Sequence, residues 1–190
     1  NDGTLKAGAK VLYITAKTAK TVSTTVNTGK PETITGLQSI IDAYSKGKDK
    51  TPIAFRFIGK VSLSDLDHIS SSAEGLQIKG AEMNMTFEGV GDDATVYGFG
   101  FLLREAVSVE FRNFAIMRCL DDAMSLDTDN SHVWIHNMDL FYGKKGGAAD
   151  QAKGDGTVDI KADSKYITVA YNRFWDNGKA SMCGMKSETG

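Results

Sequence analysis

The segment VEFRN at residues 109–113 is followed 24 residues later by VWIHN at residues 133–137. Two further segments share their alternation of apolar and other residues, MTFEG at 85–89 and ITVAY at 167–171. The first residues of the four segments are therefore separated by 24, 24 and 34 positions. Because successive side chains of a strand point to opposite faces, this period of two predicts four β-strands that each bury one face.

The constant spacing of the segments limits how the strands can be connected. A step of 24 residues without a helix-length insert excludes βαβ units, and no Asn-Gly or Asp-Gly turn joins consecutive segments as a hairpin. We therefore predict an all-β fold, a right-handed single-stranded parallel β-helix, with a β-sandwich as the alternative. The ten extra residues of the third step, around residues 143–150, predict a loop on one face of the solenoid.

The start of the chain has a different pattern. Between residues 37 and 44 apolar side chains recur at helical spacing, and Thr35 is a candidate N-cap. A helix there would cover the open end of the solenoid, because a terminal coil exposes unpaired strand edges. We expect one apparently truncated domain over residues 1–190, with an N-terminal cap region over 1–60 and β-helix coils over 61–190.

The composition excludes several classes of partner. The chain has 22 Lys and Arg against 24 Asp and Glu, a formal net charge of -2, which argues against nucleic acid. No apolar run approaches the ~18 residues of a membrane span, so we expect neither a nucleic-acid nor a membrane partner. The two cysteines, Cys119 and Cys183, lack the spacing of a metal site, and buried packing or a single bridge is expected.

Three aspartates are candidates for a metal site. Asp122 precedes the third segment, while Asp155 and Asp159 lie in the next coil. Residues i and i+4 of a straight strand project from one face about 13 Å apart. A turn at Gly156 can shorten the distance between Asp155 and Asp159. Asp122 would lie about 4.8 Å away, the distance between neighbouring coils. Converging carboxylates repel one another unless a hard cation such as Ca²⁺ binds them. The alternative is that each aspartate caps its own turn or faces solvent.

Lys179 follows the fourth segment and is expected to emerge on the same side of the solenoid. A lysine beside a cation site suits an anionic substrate, because its ammonium pairs with a carboxylate. The alternative is a solvated surface lysine. The histidines His68, His132 and His136 have no spacing typical of zinc.

Five stretches of the chain resemble, in order, the pectate lyases of polysaccharide lyase family 1. They are MTFEGVG at 85–91, DAM at 122–124, VWI at 133–135, DGTVDIK at 155–161 and YITVAYN at 166–172. The resemblance, which begins near Thr35, implies a secreted right-handed parallel β-helix that cleaves de-esterified pectin (polygalacturonate) by β-elimination. It also implies that Asp122, Asp155 and Asp159 are the primary calcium ligands and that Lys179 binds a substrate carboxylate.

The chain departs from this family in two places. Residues 134–137 read WIHN where the family usually reads Trp-Ile-Asp-His, a motif regarded as structural. The family's proton-abstracting residue is an arginine in the coil after the lysine coil, and we expect its counterpart beyond Gly190. We therefore predict that this chain holds no catalytic residue and does not turn over substrate alone. The remaining coils are expected on a second polypeptide or to be missing.

Two other functions share this architecture. A polygalacturonase-type hydrolase would need Gly-His-Gly and Arg-Ile-Lys, and neither tripeptide occurs, although Asp121 and Asp122 form an adjacent acid pair. A non-catalytic β-helix carbohydrate-binding module stays open as the alternative, because no catalytic arginine is assigned. The leading hypothesis is a calcium-dependent pectate lyase.

Overall fold

The structure, a computed structural model, describes residues 4–80 and 82–184. Within them the chain forms sixteen strands and one α-helix, α1 (Leu37–Ser45), with two short 3₁₀ helices at Leu63–Asp65 and Ala149–Gln151. The strands are β1 (Lys10–Ile14), β2 (Ser23–Asn27), β3 (Pro31–Thr35), β4 (Ile53–Ser62), β5 (Gly75–Lys79), β6 (Met85–Tyr97), β7 (Gly100–Arg104), β8 (Val107–Arg112), β9 (Ala115–Met117), β10 (Met124–Thr128), β11 (Ser131–His136), β12 (Asp139–Phe141), β13 (Val158–Ile160), β14 (Lys165–Ala170), β15 (Arg173–Trp175) and β16 (Ser181–Cys183).

The four repeated segments stack as parallel strands in the predicted register. Met85 pairs with Val109, Val109 with Val133, and Val133 with Ile167, so β6, β8, β11 and β14 lie side by side. A second parallel sheet runs in the order β5, β7, β10, β13 and β16. The chain is therefore a right-handed parallel β-helix, as the spacing of the segments predicted.

The corners of the coils explain why the segments end as they do. Asn113, Asn137 and Tyr171 have φ values of 61°, 53° and 56°, and each follows a strand of the first sheet. Asparagine adopts this left-handed conformation more readily than most residues, which suits it to a sharp corner. Asn172 links two coils, because its Oδ1 accepts from the backbone N–H of Met138 and its Nδ2 donates to the carbonyl of Ile135, both at 2.9 Å.

The interior is a stack of apolar side chains at equivalent positions of successive coils. Phe55, Phe87 and Phe111 are fully buried, and adjacent ring centroids lie 5.0 Å apart. Parallel register places identical positions directly above one another, so aromatic residues at one position form a continuous column. Ile135 continues this column in the next coil.

Helix α1 begins differently from the sequence-based expectation. Its N-cap residue is Gly36, not Thr35, and the capping oxygens come from Asp67. The two carboxylate oxygens of Asp67 accept from the backbone N–H groups of Gln38 and Ser39, at 2.9 and 3.0 Å. A Cβ on Gly36 would lie 2.4 Å from the Asp67 carboxylate, so glycine is needed for this long-range cap, which no local pattern could predict.

The helix covers the edge of the second sheet, as predicted. Gln38 is fully buried, and its side-chain amide pairs with the exposed edge of β5. Its Oε1 accepts from the backbone N–H of Gln77 at 2.9 Å, and its Nε2 donates to the Gln77 carbonyl at 3.0 Å. These two bonds take the place of a neighbouring strand and satisfy backbone groups that an open edge would leave unpaired.

The two cysteines lie in different surroundings. Cys119 is buried and Cys183 is exposed, and both are free thiols, so the first packs in the interior and the alternative of a single bridge is wrong. Burial raises the pKa of the Cys119 thiol to about 12.

In the part of the chain that the structure describes, no helix has the length and apolar character to cross a membrane.

Candidate functional site

The residues just before three strands of the second sheet form the centre of the site. Strands β10, β13 and β16 begin in register. Two positions before the starts of these three strands lie Asp122, Gly156 and Lys179. Three positions before the starts of β10 and β13 lie Asp121 and Asp155. Since adjacent coils are about 4.8 Å apart, this register brings together residues that are at least 23 positions apart in the chain.

Three carboxylates meet at this position. One oxygen from each of Asp121, Asp122 and Asp155 lies within 4.8 Å of the other two. Asp122 is buried, and the other two are half-buried. Burial raises the pKa of Asp121, and the negative charges of Asp122 and Asp155 raise it further. The cluster therefore carries negative charge that its protein neighbours do not fully balance, as expected of a site for a cation.

Asp121 was not among the predicted ligands. Its position beside Asp122 and its register with Asp155 are visible in the sequence once the coils are aligned, so the alignment could have identified it. The three-residue group is made only of carboxylate oxygens. Such a donor set suits a hard divalent cation such as Ca²⁺, so the residues present fit the metal that the sequence predicted.

Asp159 is close to this cluster but has different partners. Its side chain is buried on β13, and its Oδ1 accepts from the backbone N–H of Met182 at 3.1 Å. Its Oδ2 lies 3.4 Å from the ammonium of Lys161. Burial and the nearby Asp122 carboxylate raise the pKa of Asp159. The structure thus places Asp159 near Asp122, with the Lys161 ammonium in contact with both.

Lys161 is a member of the site that the sequence analysis missed. Its Nζ lies 3.0 Å from Asp122 Oδ2 and 3.1 Å from Ser125 Oγ, and only 13% of its side chain is exposed. Burial alone would lower the pKa of Lys161, but the Asp122 and Asp159 carboxylates outweigh it and raise the pKa. The Lys161 ammonium thus pairs with the carboxylates of both Asp122 and Asp159.

Lys179 lies at the edge of the cluster, and its role in substrate binding stays a prediction. Its Nζ is 2.6 Å from Asp155 Oδ1, and 40% of its side chain is exposed. The ammonium therefore borders both the carboxylates and solvent, so an incoming anion can reach it.

Gly156 allows two aspartates to approach the same turn. Its backbone N–H donates to Asp122 Oδ1 at 2.9 Å. A Cβ at this position would lie 2.4 Å from Asp159 Oδ1, which is far inside van der Waals contact. The site therefore requires glycine at position 156, because any side chain there would displace the Asp159 carboxylate.

An open groove of about 360 Å³ contains the cluster. The groove is lined by Gln77, Leu102 and Ser125, by residues 70–74, and by the charged side chains of Arg104, Asp121, Asp122, Asp127, Asp155 and Lys161. Five acidic and two basic side chains line it. A polyanion could enter this groove only with bound cations or through the basic side chains.

The WIHN motif lies elsewhere. His136 is buried on β11 in the first sheet, where its Nε2 is 2.9 Å from Glu110 Oε1 and its ring stacks on Trp134 at 3.8 Å. It does not line the groove of the aspartates. The motif that departs from the family pattern is therefore part of the wall of the first sheet.

Together, the fold and the groove define a right-handed parallel β-helix protein with clustered carboxylates on its second sheet. The sequence profile of one family, described as pectate lyase, matches residues 3–190. The chain belongs to the pectate lyase family.

Individual relatives are similar over parts of their length. The pectate trisaccharide-lyase of Bacillus licheniformis is 24% identical over 159 residues, which are 82% of this chain and 44% of that protein. Pectate lyase A of Emericella nidulans is 33% identical over 104 residues, 53% of this chain and 31% of that protein. The chain thus spans less than half the length of these relatives.

Two solved structures share the fold. The pectate lyase of Bacillus sp. N165, solved in complex with trigalacturonate, has a TM-score of 0.65 at 21% identity, covering 96% of this chain and 52% of that one. The thermostable pectate lyase PL 47 has a TM-score of 0.62 at 18% identity, covering 93% of this chain and 55% of that one. The likeness over nearly the whole chain supports the β-helix architecture.

Proposed function

We propose that the chain is the calcium-binding and substrate-binding part of a pectate lyase that cleaves de-esterified homogalacturonan by β-elimination. The observation that carries the proposal is the group of Asp121, Asp122 and Asp155 in an open groove beside Lys179. Membership of the pectate lyase family supports it. A neighbouring structure that contains trigalacturonate supports an acidic galacturonate polymer as substrate.

The proposed calcium ligands are Asp122, Asp155 and Asp159, with Asp121 as an additional ligand. Asp122 is held in place by the N–H of Gly156, and Asp159 by the N–H of Met182. Lys161, whose ammonium contacts both Asp122 and Asp159, would compete with a cation for these carboxylate oxygens. Its four-carbon stem is flexible enough to move the ammonium toward the groove.

In β-elimination the proton at C5, next to the uronate carboxylate, is removed and the oxygen at C4 leaves. Bound calcium would supply Lewis-acid stabilisation of the negative charge that develops beside that carboxylate. Lys179 binds a uronate carboxylate with the ammonium that now faces Asp155, and so orients the sugar ring. We assign no proton-abstracting residue within the described part of the chain.

The proposal extends to the location and assembly of the protein. We infer that it acts outside the cell, because a plant cell-wall polymer is too large to enter one. A second polypeptide that completes the β-helix is also a prediction, and the comparisons lend it no support. Intact mass and chain count of the purified protein test it directly.

The central test uses polygalacturonate with and without calcium. We expect unsaturated product, seen by its ultraviolet absorbance, only with calcium and only from the intact enzyme. Asp159→Ala should abolish this activity and weaken calcium binding measured by calorimetry, whereas Asp92→Ala, an exposed control, should change neither. Wild-type rates in excess chelator would disprove the calcium assignment. Binding of polygalacturonate without cleavage by the intact protein would favour the carbohydrate-binding module.

Lys179 is tested separately. Lys179→Ala should weaken polygalacturonate binding at least tenfold, as expected for loss of one charge-assisted hydrogen bond, with little change in the melting temperature. Lys145→Ala, which removes an exposed loop lysine, is the control. Unchanged polygalacturonate affinity of the Lys179 variant would mean that Lys179 is a solvated surface lysine and does not bind substrate.

A further inference from the structure

We propose that Arg104 is a second carboxylate-binding residue, which holds a uronate of the substrate in the groove that Asp121 and Asp122 also line. The inference rests on the proposed function for the class of substrate. It concerns a coil before the aspartate cluster.

Arg104 is the last residue of β7, and its register places it in the groove. It pairs with Lys79 of β5 and with Thr128 of β10, and its side chain lines the groove together with Asp127 and Lys161. Lys161 follows β13, two strands further along the stack, and so lies about 9.6 Å away at the backbone. A polymer that crosses the coils would therefore pass Arg104 and the aspartate cluster in turn.

The guanidinium of Arg104 is anchored at one edge only. Its Nε donates to Asp127 Oδ2 at 2.6 Å, and 45% of its side chain is exposed. Within the described residues this is the one hydrogen bond that the side chain makes. Both Nη atoms are therefore available, and their planar edge matches the two oxygens of a carboxylate. Because Asp127 already orients the group, less rotamer freedom is lost on binding.

Three other arginines, Arg56, Arg112 and Arg173, use side-chain donors within the protein. Arg56 and Arg112 both bind Glu88, through Nε at 2.6 Å and through Nη2 at 2.6 Å. Arg173 binds Asp139 through Nε and Nη2, at 2.7 and 2.8 Å. These pairs resemble structural ion pairs, whereas Arg104 keeps its Nη edge for solvent.

The two basic side chains of the groove differ in how many carboxylates they contact. Of the two basic residues that line the groove, Lys161 lies between two carboxylates, while Arg104 contacts one. Arg104 is therefore the groove cation with unused donors, and it favours a free uronate over a methyl ester, which has no charge. The geometry thus gives Arg104 a role in selecting de-esterified polymer.

The test compares Arg104→Ala and Arg104→Lys with the wild-type protein. Trigalacturonate is titrated by calorimetry in the presence of calcium, and KM and kcat are measured on polygalacturonate with the intact enzyme. We expect the dissociation constant to rise about tenfold in Arg104→Ala and to rise also in Arg104→Lys, which keeps the charge but loses the planar edge. KM should rise while kcat stays close to wild type. Methyl-esterified trigalacturonate should bind the wild type and the variants equally weakly.

Lys79→Ala is the matched control, because Lys79 pairs in register with Arg104 and is exposed but does not line the groove. Unchanged affinity in both Arg104 variants, with normal binding by the wild type, overturns the inference and leaves the proposed function intact. An equal loss in Lys79→Ala also overturns it, since the effect would then be general electrostatics. Absence of trigalacturonate binding by the wild type overturns the proposed function itself. If Arg104→Ala does not fold, Arg104→Lys decides.

Discussion

The ammonium of Lys161 lies 3.0 Å from an oxygen of Asp122 although the two residues belong to successive coils and are 39 positions apart in the sequence. The ion pair places a protein cation within the group of carboxylates proposed to bind calcium. The charge balance of the site without metal therefore depends on this lysine. Removing it should have opposite effects on folding and on metal binding.

Lys161→Met should lower the free energy of unfolding in chelator by about 3 kcal/mol, because loss of one partner leaves buried carboxylates without a countercharge. It should also tighten calcium binding, since no ammonium then competes for Asp122 and Asp159. Urea unfolding in chelator and calorimetric titration with calcium measure the two effects. Lys145→Met, in an exposed loop, should leave both unchanged. Weaker calcium binding in the Lys161 variant would show that the lysine supports the metal.

Gly156→Ala should displace the Asp159 carboxylate, because the new Cβ would lie 2.4 Å from its Oδ1. Overpacking of this kind typically costs about 1–3 kcal/mol of stability. We also expect calcium affinity to fall if Asp159 is a ligand. Gly147→Ala is the matched control, since a Cβ there meets nothing within 4 Å. Equal calcium affinity in both glycine variants, measured by calorimetry, would argue against Asp159 as a ligand.

Glu88→Gln should destabilise the protein at neutral pH by about 3 kcal/mol, since it breaks a buried ion pair with Arg56 and Arg112. Burial alone would raise the pKa of Glu88, but the two guanidiniums outweigh it and lower the pKa below 4.5. A lowered pKa in the folded state means that the stabilisation is present above pH 4.5 and is lost as the pH falls through the folded-state value.

The difference between Glu88→Gln and wild type should therefore shrink in acid. Urea unfolding at pH 7 and at successively lower pH values measures it. Glu105→Gln is the control, because Glu105 is exposed and lies 3.8 Å from Lys79, and it should change stability little at any pH. A Glu88 difference that is constant with pH would mean that packing, and not charge, determines its contribution.

Asp67→Ala should destabilise the cap region by about 1–2 kcal/mol, as expected for the loss of an N-cap. Asp67 accepts from the N–H groups of Gln38 and Ser39 and from the Ser39 hydroxyl. Hydrogen exchange should show faster exchange at the start of α1, with Asp92→Ala as an exposed control. Unchanged protection of the Gln38 and Ser39 amides would contradict the assigned cap.

The coil repeat could be predicted because it depends on local pattern. Alternation with a period of two and the constant spacing of residues 85–89, 109–113 and 133–137 need no knowledge of distant contacts. The same spacing predicted the register of Val109 with Val133, which the structure confirms. It also predicted Asp122 one coil from Asp155 with Lys179 nearby; the Lys179 ammonium lies 2.6 Å from Asp155 Oδ1, and the roles of these residues stay predictions.

The remaining features of the site depend on how side chains share space between coils. The sequence determined the fold, the stacking of its strands and the side of the helix that carries the acidic residues. Only the tertiary structure decided that Lys161 contacts both Asp122 and Asp159 and that Asp67 caps α1. The physical reason is that backbone register follows from periodicity, whereas the direction of a charged side chain follows from the charges and free volume around it.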